Sequence, residues 1–203
     1  PGTGVPRGLH QPPDDADNTW AAFVRQAVHY GAVRGVNRWA VWRGQDVPAD
    51  MPGATWESSL RDYYRLVEVA ALVARQTNPN AVIHLGAVGE GDPAWLEAFL
   101  EMAAADPQAH GQAATFDVVG VHASGSPEQV YARIRALIDT MNQEGVPLKE
   151  VWATGVGLRA AVDPEADELR SELAEHPNVT LAQQAVAPDV AAVAFDLRGP
   201  TFR

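Results

Sequence analysis

The spacing of apolar residues alternates along the chain between a helical period and short continuous runs, and the two patterns predict helices and strands. Apolar residues recur three and four positions apart, as on one helix face, over residues 20–31, 56–77, 95–102 and 130–141. Short β-prone runs separate these stretches, at residues 38–42, 81–85, 116–122, 150–154 and 191–197. Asp163-Pro164 caps a weaker helix, and residues 177–190 fit neither pattern. Residues 1–19 have no apolar period, so we predict a lead-in loop followed by one folded segment over 20–203.

The order of these elements predicts the fold class. The five strand-like runs begin 43, 35, 34 and 41 residues apart, which is the rhythm of successive βα units in a parallel α/β sheet. No Gly-x-Gly-x-x-Gly turn follows the first strand and no Gly-x-x-x-x-Gly-Lys occurs, so the common nucleotide-binding signatures of open sheets are missing. Polar and aromatic residues instead follow the strands, at the end where barrels build their sites. We therefore expect a (β/α)8 TIM-barrel-like segment.

The charge balance narrows the choice of partners. Fifteen basic and 26 acidic residues give a net charge of -11, which repels phosphate backbones and anionic lipids, so we expect neither nucleic acid nor a membrane surface. The absence of cysteine excludes disulfides and thiolate chemistry. The chain starts with Pro1-Gly2-Thr3-Gly4 rather than with a methionine or a signal peptide, from which we expect an N-terminal part to be missing.

Several stretches carry a resemblance to a known family. They are Trp39 to Asp46 (WAVWRGQD), Tyr63 to Leu66 (YYRL), Asn78 to Ala81 (NPNA), Phe116 to His122 (FDVVGVH) and Val151 to Gly157 (VWATGVG). From about Trp20 to Gly157 the chain resembles the barrel glycoside hydrolases of the cellulase, β-xylosidase and iduronidase clan. The resemblance implies strands four to eight of such a barrel, with residues 191–198 as the eighth, and slightly favours an extracellular location.

The resemblance also implies where two catalytic glutamates would stand. In this clan the fourth strand ends in Trp-Asn-Glu-Pro, whose Glu is the general acid/base, and the seventh in Trp-x-Thr-Glu-x-Gly, whose Glu is the nucleophile. Gly44 and Gly155 occupy these two positions, while Arg43 replaces the Asn and Gln45 replaces the Pro. Retaining glycosidases need two carboxyl groups about 5 Å apart. We therefore expect the standard mechanism to be absent.

Other carboxylates of the same predicted rim could replace the missing pair. Asp46, Glu90 and Asp92 follow predicted strands, and Glu57 begins the helix after the first loop. Asp92, which is followed by a proline, is explained as a helix N-cap. Glu90 and Glu57 are therefore kept as weak substitutes.

A residual sugar site would use aromatic and polar residues near the strand ends. Trp42 and Trp152 stand where the clan stacks sugar rings, and His122 stands at a position that lines its sugar site. Arg43 and Asp46 complete the candidate ligand-binding set. The alternative is that both indole rings fill the barrel and that His122 is a hydrogen-bonded rim residue.

The remaining chemistry-bearing residues predict neither a metal site nor a cofactor. His84 lies inside an apolar strand, as a satisfied core histidine does, and His84, Glu90 and His122 are dispersed over separate strands. Ala123-Ser124-Gly125-Ser126 lacks the leading glycine of a nucleophile elbow, so serine hydrolase chemistry is not supported.

Three functions remain open at this point. The chain is a catalytically inactive glycoside-hydrolase-like module with a structural, assembly or carbohydrate-contacting role, an active glycoside hydrolase with displaced carboxylates, or a non-catalytic carbohydrate-binding protein. Five strands do not close a barrel, so the first and last present unpaired edges. We expect a homo-oligomer, or a missing N-terminal barrel half, to cover these edges.

Overall fold

The computed structural model describes residues 4–51, 54–88, 94–106, 115–122, 127–146, 149–154, 179–182, 194–196 and 199–201. The helices in this part of the chain are α1 (Thr19–Ala32), α2 (Leu60–Thr77), α3 (Ala94–Ala105) and α4 (Pro127–Gln143). The strands are β1 (Arg38–Val41), β2 (Val82–Val88), β3 (Val118–His122), β4 (Glu150–Thr154), β5 (Val179–Ala182), β6 (Ala194–Asp196) and β7 (Gly199–Thr201).

The strands form one sheet in the order β1 to β7. Strands β1 to β5 run parallel, whereas β6 pairs antiparallel with β5 and β7 pairs antiparallel with β6. Helices α2, α3 and α4 connect the first four strands in sequence. The predicted α/β class and its βα rhythm are confirmed.

The predicted position of the fifth parallel strand is wrong. The parallel neighbour of β4 is β5, which lies in the stretch 177–190 that fitted neither pattern. The predicted strand over 191–197 contains β6, which is antiparallel. A strand of four residues is too short to reveal a period of two, so strand spacing misplaced it. The weaker helix after Asp163 lies outside the described residues.

Helix starts follow their capping residues. Asn18 Oδ1 accepts a hydrogen bond from the backbone N–H of Ala21 at 2.9 Å and caps α1. Ser59 Oγ accepts a hydrogen bond from the backbone N–H of Asp62 at 3.1 Å and caps α2. The helix therefore starts at Leu60, whereas the apolar period predicted a start at Trp56. The predicted cap Asp92 lies outside the described residues.

The core lies between the helices and one face of the parallel strands. The strands supply Val41, Ile83, Leu85, Val119, Val121 and Val151, and the helices supply Tyr63, Leu66, Val67, Phe99, Leu100 and Ile134. No helix in the described part of the chain is long and apolar enough to cross a membrane. The opposite face of the sheet is left for polar and aromatic side chains.

The lead-in segment is packed although it has neither helix nor strand. Leu9 is buried, and Arg65 of α2 donates hydrogen bonds to the main-chain oxygens of Leu9 and Gln11 at 3.2 and 3.1 Å. His10 Nε2 lies 2.7 Å from the carboxylate of Asp62. These contacts fix the segment against the start of α2.

Candidate functional site

The chain leaves β1 through a turn with unusual backbone angles. Trp42 has a φ of 73° and Gly44 a φ of 69°, both in the left-handed region. This region costs a non-glycine residue about 1–2 kcal/mol, and residues that accept such strain concentrate at functional sites. Gly44 is buried. The position where the resemblance places the acid/base glutamate therefore has a backbone conformation that favours glycine.

The turn brings the side chain of Gln45 next to β2. Gln45 is 3% exposed, and its Nε2 donates to the main-chain oxygens of Gly86 and Ala87 at 2.9 and 3.1 Å. A Cβ added to Gly86 would lie 2.6 Å from Gln45 Oε1 and 2.9 Å from the main-chain oxygen of Trp42. Only glycine at position 86 allows this close approach, and the amide of Gln45 fills the space beside it.

Tyr63 of α2 joins the end of β1 to β2. Its hydroxyl donates to the main-chain oxygen of Val41 at 2.8 Å and accepts from the N–H of Gly86 at 3.3 Å. Burial raises the pKa of Tyr63 far above its usual value; the bond from Gly86 opposes this and the charge of Asp46 adds to it. The phenol therefore stays protonated and acts as a fixed hydrogen-bonding link between the two strands.

The predicted ligand-binding residues of this turn differ in exposure. Trp42 is half-buried, packs edge-on against Trp56 with ring centroids 5.3 Å apart, and donates from Nε1 to Thr55 Oγ1 at 3.1 Å. Thr55 Oγ1 in turn donates to the main-chain oxygen of Arg43. The Arg43 side chain is exposed, whereas Asp46 is buried. The contacts of Trp42 stabilise the turn.

Trp152 lies in the middle of β4, on the face of the sheet away from the helices. Its ring meets that of His84 edge-on at a centroid distance of 4.6 Å, and the guanidinium of Arg38 lies 5.0 Å from its centroid. Trp152 Nε1 donates to Glu150, whose carboxylate also accepts from Arg38 at 3.1 Å. This predicted sugar-stacking residue is thus half-buried and contacts His84, Arg38 and Glu150.

His84 is a neutral hydrogen-bonding member of the same cluster. Burial and, to a smaller extent, the positive charge of Arg38 lower the pKa of His84 to about 4, although Glu150 and Asp117 oppose the shift. Arg38 Nη1 lies 3.4 Å from His84 Nε2. Because a guanidinium can only donate, Nε2 is the acceptor and the proton is on Nδ1.

The other predicted site residues are spread over the molecule. His122 ends β3, is half-buried and pairs in register with Thr154. Glu57 is exposed and precedes α2. Gly155 and Glu90 lie outside the described residues. Within the described ranges no three His, Asp or Glu side chains come close enough together to hold a metal ion. The roles assigned to these residues remain predictions.

Several solved structures, two of them glycosidases, have a similar arrangement of strands and helices. A monomeric β-xylosidase from Caulobacter crescentus CB15 matches with a TM-score of 0.52 and 17% identity, over 75% of this chain and 35% of its own. A glucosidase from Croceicoccus marinus matches with a TM-score of 0.50 and 15% identity, over 81% of this chain and 38% of its own. N2152 from Neocallimastix frontalis matches with a TM-score of 0.50 and 13% identity, over 67% of this chain and 32% of its own. No family model and no curated protein matches the chain.

The chain has an α/β fold like part of the barrel of these glycosidases. The resemblance drawn from the motifs is confirmed at the level of the fold, which is all that identities of 13–17% support. The chain spans about a third of the length of these structures.

Sequence reasoning missed the residues that organise the turn after β1. Gln45 enters the sequence prediction only as the residue that replaces a proline, Tyr63 only as part of a helical stripe and a family-like stretch, and Gly86 not at all. In the sequence, Tyr63 cannot be distinguished from the other apolar residues of its helical stripe. Its hydroxyl bonds depend on how the helix packs against β1 and β2, which no local pattern shows. Gly86, directly after an apolar run, is the one signal that could have indicated a close backbone approach.

Proposed function

We propose that this chain is a catalytically inactive glycoside-hydrolase-like module with a structural or assembly role. The observation that carries the proposal is Gly44, buried and left-handed, at the position that the resemblance assigns to the general acid/base. Retaining hydrolysis needs a carboxyl group there to protonate the leaving oxygen and then to activate water. Glycine provides neither function.

The neighbours of Gly44 support the same proposal. Nε2 of the buried Gln45 already donates to the main chain of β2, so these N–H groups are not available to a substrate. Arg43 adds a positive charge to the turn, whereas the oxocarbenium-like transition state of glycoside cleavage is stabilised by negative charge. A turn with a bound amide and an added cation is unsuited to this reaction.

Turnover of aryl glycosides tests the proposal. The purified chain is incubated with aryl β-xylosides, β-glucosides and β-galactosides, alongside the variants Glu57→Gln and Glu90→Gln. We expect no hydrolysis above that of a protein-free blank in any sample. Hydrolysis by the unmodified chain that either variant abolishes would establish an enzyme with displaced carboxylates.

Carbohydrate contact without catalysis is a second candidate, favoured by the half-exposed indole of Trp42 beside the turn. Aromatic faces of this kind stack on sugar rings. Titration calorimetry with xylo- and gluco-oligosaccharides tests it, with Trp42→Ala as the test variant and Tyr30→Ala, an exposed aromatic on α1, as the control. Binding that only Trp42→Ala removes would favour this candidate over a purely structural role.

A further inference from the structure

A cavity of about 420 Å³ lies between the lead-in segment and helices α2 and α3. On α2 it is lined by Arg61, Tyr64, Arg65 and Glu68, whose spacing of three, four and seven residues puts them on one face of the helix. The volume is within the range of small-molecule sites, about 300–1,000 Å³. None of these four residues belongs to the candidate sugar site, so the cavity is a separate feature of the molecule.

Hydrogen bonds within the chain hold most of the lining side chains in place. Arg65 Nη1 donates to the carboxylate of Glu68 at 2.7 Å, and the other nitrogens of the guanidinium donate to the main chain of the lead-in segment. The hydroxyl of Tyr64 donates to Asp106 Oδ2, directly after α3, at 2.9 Å. The cavity is therefore largely preorganised, and a ligand would not have to order these groups on binding.

Positive charge lies at the end of the cavity near the start of α2. Arg61, in the first turn of the helix, is exposed and forms no ion pair with any residue that the structure describes. His10 of the lead-in segment also lines the cavity, and Asp62 holds its Nε2 at 2.7 Å. A guanidinium donates hydrogen bonds in a fork that matches a carboxylate. This end therefore suits an anionic group of a ligand.

Negative charge lies around the hydroxyl of Tyr64. Burial raises the pKa of Tyr64, the hydrogen bond to Asp106 and the charges of Asp106 and Glu68 raise it further, and Arg65 opposes the shift. Both carboxylates therefore act on the same part of the cavity. A carboxylate has about four acceptor positions, so a ligand's ammonium group can bond to it in addition to the protein donor.

We propose that this cavity binds a linear zwitterion, whose carboxylate lies at Arg61 and whose ammonium group lies at Glu68 and Asp106. Met102 and Ala105 of α3 also line the cavity and would contact the apolar chain that joins the two charges. Arg61 and Glu68 are seven residues apart, which is about 10 Å along a helix axis. The two charges of the ligand are therefore several bonds apart, as in a short peptide or an ω-amino acid.

A ligand with a single charge fits this lining less well. A simple anion would face Glu68 and Asp106, and a simple amine would face Arg61. Like charges in a binding site are unfavourable, whereas a zwitterion has an opposite charge at each end. The cavity should therefore discriminate among compounds of the same length that differ only in their charged groups.

Three compounds of similar length test this discrimination. 6-Aminohexanoate has both charges, hexanoate lacks the ammonium group, and hexylamine lacks the carboxylate. Each is titrated into the isotope-labelled whole chain while NMR follows the backbone amides. We expect 6-aminohexanoate to shift the amides of residues 61–68 and 102–106. It should bind at least about fivefold more tightly than either of the other compounds, which corresponds to about 1 kcal/mol.

Two variants assign the two ends of the ligand. Arg61→Gln should weaken binding of 6-aminohexanoate and hexanoate by about fivefold, without weakening binding of hexylamine. Asp106→Asn keeps an acceptor for Tyr64, and it should weaken binding of 6-aminohexanoate and hexylamine but not of hexanoate. The controls are Arg133→Gln and Asp50→Asn, which change exposed residues outside the cavity and should leave all three affinities unchanged. Circular dichroism confirms that each variant is folded.

Several outcomes would overturn the proposal. One is the absence of shifts in residues 61–68 and 102–106 at about 50 mM 6-aminohexanoate, a concentration that occupies a site of ordinary ligand efficiency for nine non-hydrogen atoms. Equal affinities for the three compounds would be a second. Binding of 6-aminohexanoate that neither Arg61→Gln nor Asp106→Asn weakens would be a third. Hexanoate binding as tightly as 6-aminohexanoate would assign the cavity to monocarboxylates instead.

Discussion

Arg38 on β1 and Glu150 on β4 form an ion pair of 3.1 Å although two strands lie between them. Three strand spacings on a flat sheet amount to roughly 14 Å, so the contact marks the concave side of a curved sheet. His84 and Trp152 lie on the same face and contact Arg38. The concave face near the start of these strands is thus held together by protein contacts.

Removal of the ion pair should destabilise the fold modestly. Arg38→Met, Glu150→Gln and the double variant form a cycle in which urea unfolding measures the coupling. The two side chains are 44% and 31% exposed, so we expect a coupling free energy of about 0.5–1 kcal/mol that falls at high salt. A coupling near zero at low salt would show that the pair does not contribute to the curvature of the sheet.

Protonation of His84 should make stability depend on pH. Because the folded-state pKa of about 4 lies below the ordinary value of 6.5, the unfolded state binds the proton more tightly. Stability should therefore fall as the pH drops from 6.5 to about 4, by up to about 3 kcal/mol, and the loss should be absent above 6.5. His84→Gln keeps an acceptor for Arg38 but does not titrate, so its unfolding free energy should change much less over this range.

Protonation of Asp62 should cause a separate loss of stability at lower pH. Hydrogen bonds from Ser58 and Ser59 and from His10, opposed by burial, lower the pKa of Asp62 to about 2. The stability that its ionised form provides should be present above about pH 4 and lost as the pH falls to 2, in the unmodified chain and in His84→Gln alike. If the unfolding free energy of Asp62→Asn fell as steeply below pH 4 as that of the unmodified chain, this assignment would be contradicted.

Gly86→Ala tests the close approach at the turn after β1. The added Cβ would meet Gln45 Oε1 and the main-chain oxygens of Trp42 and Val41 within 2.9 Å. Since two of these atoms are backbone, we expect a loss of about 3 kcal/mol, at the upper end of overpacking effects. Gly35→Ala is the control, because its φ is +77° with no atom within 4 Å, and it should cost about 1 kcal/mol. Equal urea midpoints for the two variants would contradict the contact.

The periodic parts of the fold could be predicted from the sequence. The stripe from Tyr63 to Ala74 and the buried strand beginning at Val82 occur where the pattern placed them, since both bury one face against the same core. Strand β5 was missed because four residues, Val179–Ala182, give too little pattern. Its place is decided by pairing with β4 rather than by local spacing.

The candidate site was less predictable because its contacts join distant parts of the chain. The motif around Trp42 and Gly44 located the turn, but not the bonds of Gln45 to Gly86 and Ala87 or of Tyr63 to Val41. The family motif indicated Trp152 as a site residue, but it could not indicate the neighbours His84 and Arg38, which come from other strands. Such contacts depend on the curvature of the sheet, which no local pattern reports.

Release of aryl alcohol from an aryl glycoside panel, followed over long incubation with the chain at near-stoichiometric concentration, tests catalytic inactivity most directly. Because the resemblance assigns the positions of the two catalytic glutamates to Gly44 and Gly155, we predict a rate equal to that of the blank for every sugar. A rate above the blank that is proportional to protein concentration and is lost on replacing a single carboxylate would contradict the account.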